Sequence, residues 1–202
     1  TREIIGRARE RQAVLEAILD TESCALHFLG EAGIGKTRQL REVALWNELQ
    51  EAGRSPIEGR FEWLGLIDLY HSDLHTPSLV EEEIVRRIDP AFKSKREGSP
   101  FRDYLEKREE FEDRRRQGLV REKDRVEVTQ TFVRDYNRWA VGRRAVIAFD
   151  TLELIFYEQD EVFQTGEGEE AGIADVKGWL LEVLPQFEHT AMLLARRPHE
   201  RL

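Results

Sequence analysis

Apolar positions along this chain recur with two periods, and their alternation outlines the fold. Val14, Leu15, Ile18 and Leu19 fall at helical spacing behind Ile4-Ile5-Gly6-Arg7, which predicts a loop entering an amphipathic helix. The run Cys24-Ala25-Leu26-His27-Phe28-Leu29 predicts a buried strand. A glycine-rich turn follows, then a helix with Leu40, Val43, Ala44 and Leu49 on one side. Trp63 to Tyr70 reads as a second strand, and Thr76-Pro77-Ser78 opens a helix carrying Val80, Ile84, Val85 and Ile88. Thr129, Phe132, Val133, Tyr136 and Ala140 give one apolar face to a later helix. Ala145 to Phe149 is short, apolar and ends on Asp150, as suits a central parallel strand buried on both faces. Gln164 to Gly172, rich in Gly and Glu, predicts a mobile surface loop. A helix with Val176, Trp179, Leu180, Val183 and Leu184 inward follows, and then a fourth strand, Ala191 to Ala195. Strands alternating with helices, without an internal repeat, predict an α/β domain with a parallel sheet.

Composition narrows this picture. A length of 202 residues fits one domain with a sizeable core. With 31 Lys and Arg against 40 Asp and Glu, the net charge of −9 argues against a generic nucleic-acid or anionic-membrane surface. Arg102 to Arg125 carries eight acidic and nine basic side chains, a balance that predicts a solvated helical hairpin. The single cysteine, Cys24, lies in an apolar run and is assigned to packing; it excludes a disulfide framework and fits a reducing compartment. His189 and His199 show no metal-ligand spacing. No secretory leader and no apolar run near the ~18 residues of a membrane span is present, so a soluble, cytoplasmic protein is expected.

The most specific chemistry lies between the first strand and its helix. Gly30-Glu31-Ala32-Gly33-Ile34-Gly35-Lys36-Thr37 fills G-x-x-x-x-G-K-[ST] in the context that motif requires. Glycines there let backbone N–H groups wrap around phosphate oxygens, and the helix N-terminus favours the anion. Lys36 is placed to meet the β- and γ-phosphates. The Thr37 hydroxyl is placed to join an Mg²⁺ shell, and Arg38 next to it joins the binding set. Asp150, closing the apolar strand expected beside the first, would supply the second hard oxygen for Mg²⁺. Glu153, three residues on, is the candidate to orient or deprotonate an attacking water. Arg196 and Arg197 end the fourth strand on the edge where parallel sheets bind ligands, so one of them is a candidate reader of the γ-phosphate. The phosphates alone leave ATP and GTP open.

Four stretches together resemble the STAND class of signal-transduction ATPases, relatives of AAA+ proteins that include NACHT and NB-ARC domains and bacterial regulators. Ile5-Gly6-Arg7-Ala8-Arg9-Glu10 looks like the Gly-Arg motif that lies against adenine in this class. Gly30 to Thr37 matches Walker A, and Ile147 to Glu153 is similar to the extended Walker B. Leu193 to Pro198 looks like the sensor 1 strand, with Arg197 aligned on the Arg-Pro step as the sensor. Thr151 stands where many AAA+ enzymes place the catalytic Glu.

The resemblance implies a three-layer P-loop fold with the Walker A strand central. A Gly-Arg segment and helix would span residues 1–20, a Walker A half 21–92, a charged helical insertion 93–142, and a Walker B and sensor half 143–202. It further implies an ATP/ADP switch, bacterial in type, with slow Mg²⁺-dependent hydrolysis. The partners would be effector and sensor domains outside this chain, with homo-oligomerisation of the active full-length form. The family's lid and winged-helix segments are expected to be missing. Competing readings are an AAA+ initiator or loader acting on DNA, a nucleotide-holding module without turnover, and a small-molecule kinase.

Overall fold

Residues 7–54, 59–92, 98–156 and 176–198 are described by the computed structural model. Their elements run α1 (Ala8–Leu19), β1 (Cys24–Leu29), α2 (Lys36–Glu51), β2 (Glu62–Asp68), α3 (Pro77–Ile88), α4 (Arg102–Arg116), α5 (Glu122–Ala140), β3 (Ala145–Asp150), α6 (Glu153–Phe156), α7 (176–182) and β4 (Thr190–Arg196). The loop expected at Gln164 to Gly172 lies outside these residues, as do Ile5, Gly6 and His199. The protein is α/β with a four-stranded sheet, all neighbours parallel, in the order β1-β4-β3-β2. No helix among the described residues is long and apolar enough to cross a membrane.

That order corrects one expectation. β1 was expected to be central, with β3 and β4 beside it; β4 does pair with β1, but it lies between β1 and β3, and β1 is at the edge of the described sheet. Periodicity reports which faces are apolar, not which strands are neighbours. The burial pattern agrees with the order. All six β3 residues are buried, whereas exposure alternates along β1 and Leu29 remains 55% exposed.

The described residues fall into two compact units. One holds the sheet with α1, α2 and α6. Val14 and Ile18 from α1 and Leu40, Val43 and Trp46 from α2 pack with Phe28, Val146, Ala148, Ala191, Leu193 and Ala195 in one apolar cluster. The residues of β3 and β4 in this cluster alternate along each strand, so they line a single sheet face. Arg144, just before β3, fastens α1 to this core. Its guanidinium donates to the carbonyls of Ala17, Ile18 (3.2 Å) and Glu22 (2.6 Å), which favours the negative end of the helix dipole.

β2 contains a bulge. Its pairing with β3 shifts between Trp63 and Gly65, leaving Leu64 as the extra residue, and Gly65 takes φ 90°, a left-handed value suited to glycine. The added residue puts Asp68, rather than Ile67, opposite Asp150 at the carboxyl end of the two strands.

The second unit holds α3, α4, α5 and α7. Phe132 on α5 is surrounded by Phe101, Tyr104, Tyr136, Trp179 and Phe187, with Tyr136 and Phe187 stacked at 4.0 Å. The balanced-charge stretch forms α4 and the start of α5. α4 buries Tyr104 and Leu105, while pairs such as Arg102–Glu106 and Arg116–Asp113 sit on its solvated side. Asp135 on α5 accepts the Tyr104 N–H at 2.9 Å and so caps the first turn of α4. Burial, the largest influence on this carboxyl, raises its pKa.

Candidate functional site

The candidate residues that are described all belong to the sheet unit. β1 stops at Leu29, the chain turns through Gly30 to Gly35, and α2 begins at Lys36. Gly33 and Gly35 have φ of 79° and 92°, and a Cβ at either would meet nothing within 4 Å. Backbone conformation, not crowding, is therefore what asks for glycine at both positions. Glu31, Ala32, Gly33, Ile34 and Arg38 are exposed.

Two cations brace this turn from within the protein. The Lys36 ammonium donates to the carbonyls of Gly30 and Glu31, the latter at 3.0 Å. The Arg7 guanidinium donates to the Ile34 carbonyl and, at 3.4 Å, to the side chain of Gln39 on the first turn of α2. These contacts set Arg7, the residue expected beside a nucleotide base, against the glycine-rich turn.

The turn is joined to the sheet through Thr37, whose hydroxyl donates to Asp150 Oδ2 at 2.5 Å. The contact spans the width of β4, because β3 and β1 are not neighbours. Asp150 Oδ1 accepts the N–H of Thr151 at 2.9 Å. Thr151 has φ 62°, left-handed and rare for a β-branched residue. Its hydroxyl donates to Asp68 Oδ1 at 2.7 Å, and the same oxygen accepts the Tyr70 N–H at 3.0 Å. Asp68 was absent from the sequence-based set, although the rule that selected Asp150, a carboxylate at the outer end of a parallel strand, also fits it.

Glu153 and Arg197 meet each other. The Arg197 N–H donates to Glu153 Oε2 and its Nε pairs with Oε1, both at 3.1 Å. The Leu152 N–H also donates to the Ala195 carbonyl at 3.2 Å, so the chain after β3 is tied to the end of β4. Arg196 is half-buried at the last position of β4, in register with Leu29.

These residues suit the groups that the sequence suggested. The turn offers backbone N–H groups at a helix start with the Lys36 ammonium beside them, a donor set for phosphate oxygens. Thr37 Oγ1 and Asp150 Oδ2 are adjacent hard oxygens. Mg²⁺ typically takes one or two such protein ligands and completes its shell with water and substrate phosphate, so the pair fits that ion. Among the described residues no three His, Cys, Asp or Glu side chains gather as a cage for a metal.

Fold and site together define an α/β protein with a parallel sheet whose carboxyl edge carries a glycine-rich turn, two in-register aspartates and a Glu–Arg pair. The chain matches no family model and no curated protein.

Proposed function

We propose that the chain is the ATP/ADP-binding core of a STAND-class P-loop switch, with slow Mg²⁺-dependent ATP hydrolysis. The observation that carries this reading is the Thr37–Asp150 contact at 2.5 Å. It joins a complete phosphate-binding motif to a strand-end carboxylate 113 residues away in sequence, as an Mg²⁺–phosphate site requires. Three-layer architecture, a bacterial source, control of oligomerisation and effector partners outside this chain belong to the same proposal.

On this reading Lys36 leaves the Gly30 and Glu31 carbonyls to meet the β- and γ-phosphates, and the freed N–H groups of the turn hold the remaining oxygens. Bound Mg²⁺ supplies charge neutralisation at the phosphates, held through Thr37 and Asp150. Arg197 turns from Glu153 toward the γ-phosphate. Glu153, released, takes a proton from the water whose oxygen bonds to the γ-phosphorus as the bond to the β–γ bridging oxygen breaks.

A second reading, a module that holds nucleotide without turnover, is favoured by the engagement of both Glu153 oxygens by Arg197.

The test begins by denaturing freshly purified protein and identifying the released nucleotide. Adenine nucleotide is expected from the wild type. Lys36→Ala should weaken ATP binding by about 10- to 150-fold, the value of a charged hydrogen bond of about 1.5–3 kcal/mol. Guanine nucleotide, or equal retention by Lys36→Ala, would overturn the proposal. A wild-type rate of γ-phosphate release no greater than that of Glu153→Gln would select the second reading.

A further inference from the structure

We propose that Asp68 is a positioning residue for the nucleotide site: acting through Thr151, it fixes which oxygen Asp150 presents to Thr37 and to the cation accompanying the nucleotide. This inference rests on the reading of Gly30 to Thr37 and Asp150 given above.

A carboxylate rotates, and its use as a metal-side ligand depends on holding one oxygen toward the ion. Asp150 has its two oxygens assigned to different partners. Oδ2 accepts the Thr37 hydroxyl at 2.5 Å, and Oδ1 accepts the Thr151 N–H at 2.9 Å. The second bond lies in the turn that leaves β3, where residue 151 itself is left-handed, at φ 62°. Glycine or asparagine is the ordinary occupant of such a position, and a β-branched residue is strained there. Threonine brings the one thing that glycine lacks, a hydroxyl, and that hydroxyl donates to Asp68 Oδ1 at 2.7 Å. A hydrogen bond to a carboxylate is among the stronger kinds and opposes the backbone strain. Asp68 is itself oriented, because the same oxygen accepts the Tyr70 N–H at 3.0 Å.

The bulge in β2 is an independent observation pointing the same way. Without the extra residue at Leu64, Ile67 would stand opposite Asp150 and no acceptor would face Thr151. A local irregularity that costs ladder pairing, and that needs glycine at position 65 with φ 90°, is what brings Asp68 into register. The series Asp68, Thr151, Asp150, Thr37 then links the end of β2 to the start of α2 through three hydrogen bonds. Outer partners of this kind orient the groups that touch a metal, and their loss typically lowers metal affinity by about 10-fold or more.

Because the hydrogen bond rather than the charge is what acts, conservative variants separate this proposal from its rivals. Asparagine keeps an Oδ1 acceptor, and serine keeps the hydroxyl. Mg²⁺ would be titrated against ATP binding, alongside ATP binding with no Mg²⁺ present. Asp68→Ala and Thr151→Gly should raise the half-saturating Mg²⁺ concentration by about 10-fold and leave Mg²⁺-free ATP binding unchanged. Asp68→Asn and Thr151→Ser should stay within about twofold of wild type. In the nucleotide-free protein, amide exchange at Thr151 should quicken in Asp68→Ala and not in Asp68→Asn. An Asp68→Asn variant as impaired as Asp68→Ala, or an unchanged Mg²⁺ requirement in Asp68→Ala, overturns the inference. Lys36→Ala keeps the two failures apart. If it loses ATP while Asp68→Ala matches wild type, only this inference falls; if wild type binds no nucleotide, the functional reading falls and takes the inference with it.

Discussion

Glu81 offers a prediction whose sign and size both follow from its surroundings. It lies on α3 with 1% of its surface exposed, and its Oε1 accepts the Thr129 hydroxyl at 2.8 Å and the Trp179 indole N–H at 3.0 Å. The Tyr104 hydroxyl faces the same carboxylate, and Arg108, paired with Glu82 at 2.5 Å, acts on it through charge. Burial dominates and raises the Glu81 pKa above 4.5; the hydrogen bonds and Arg108 pull the other way without cancelling it. The folded protein therefore holds this proton to a higher pH than the unfolded chain does. Its stabilising contribution is complete below about pH 4.5 and is lost as pH rises through the folded value.

Glu81→Gln keeps an acceptor for Thr129 and Trp179 and removes the ionisation. It should match wild type near pH 4 and exceed it in melting temperature at pH 8. Glu81→Ala leaves the buried Trp179 indole N–H unsatisfied, at about 1–3 kcal/mol, and takes from the half-buried Thr129 hydroxyl a bond of about 1 kcal/mol, so a loss of about 2–4 kcal/mol is expected. That is roughly 4–16 °C in a chain of this size. Circular dichroism melts of the three proteins from pH 4 to pH 8.5 measure both effects. Reading each variant against wild type at the same pH removes the contributions of Asp135, raised by burial, and of Glu83. For Glu83 burial acts upward, yet the hydrogen bonds and charges of Arg86 and Arg87 outweigh it and lower the pKa. A Glu81→Gln protein less stable than wild type at pH 8 would refute the reasoning, because it would mean the buried carboxylate stabilises the fold in its charged form.

Arg144→Ala removes the side chain that holds two carbonyls at the end of α1 and that of Glu22 in the loop beyond it, and about 2–4 kcal/mol of stability should go with it, allowing for partial exposure. A loss below about 1 kcal/mol in urea unfolding would show that α1 is held by its other contacts, Val14 and Ile18 among them, without Arg144. Glu153→Gln should lower the rate of ATP hydrolysis by about 10²- to 10⁴-fold while leaving ATP affinity in place, as expected for a base that acts on water. An unchanged rate in single-turnover measurements would remove Glu153 from the mechanism.

The strands and helices were legible because they are local. The 3.6-residue rhythm of Val80, Ile84 and Val85, the unbroken apolar run of β3 and the glycines at 33 and 35 express constraints that act within a few residues. The glycine-rich turn was legible for the same reason, since its conformation and its Lys-Thr pair are written in eight consecutive positions. The helical hairpin followed from balanced charge, because α4 needs only Tyr104 and Leu105 buried.

Pairings across distance belong to the tertiary structure. Four apolar runs do not say which will be neighbours, and only packing placed β4 between β1 and β3. The polar residue Glu81 gave no sign of burial, because its partners come from α5 and α7, 48 and 98 residues away. The union of Glu153 with Arg197 depends on the end of β4 meeting the chain after β3. Asp68 shows the division most clearly. Its identity and its place near a strand end are in the sequence, but one bulged residue decides whether it or Ile67 faces Asp150. A strand's register is set by its partner, and no rhythm within the strand itself encodes it.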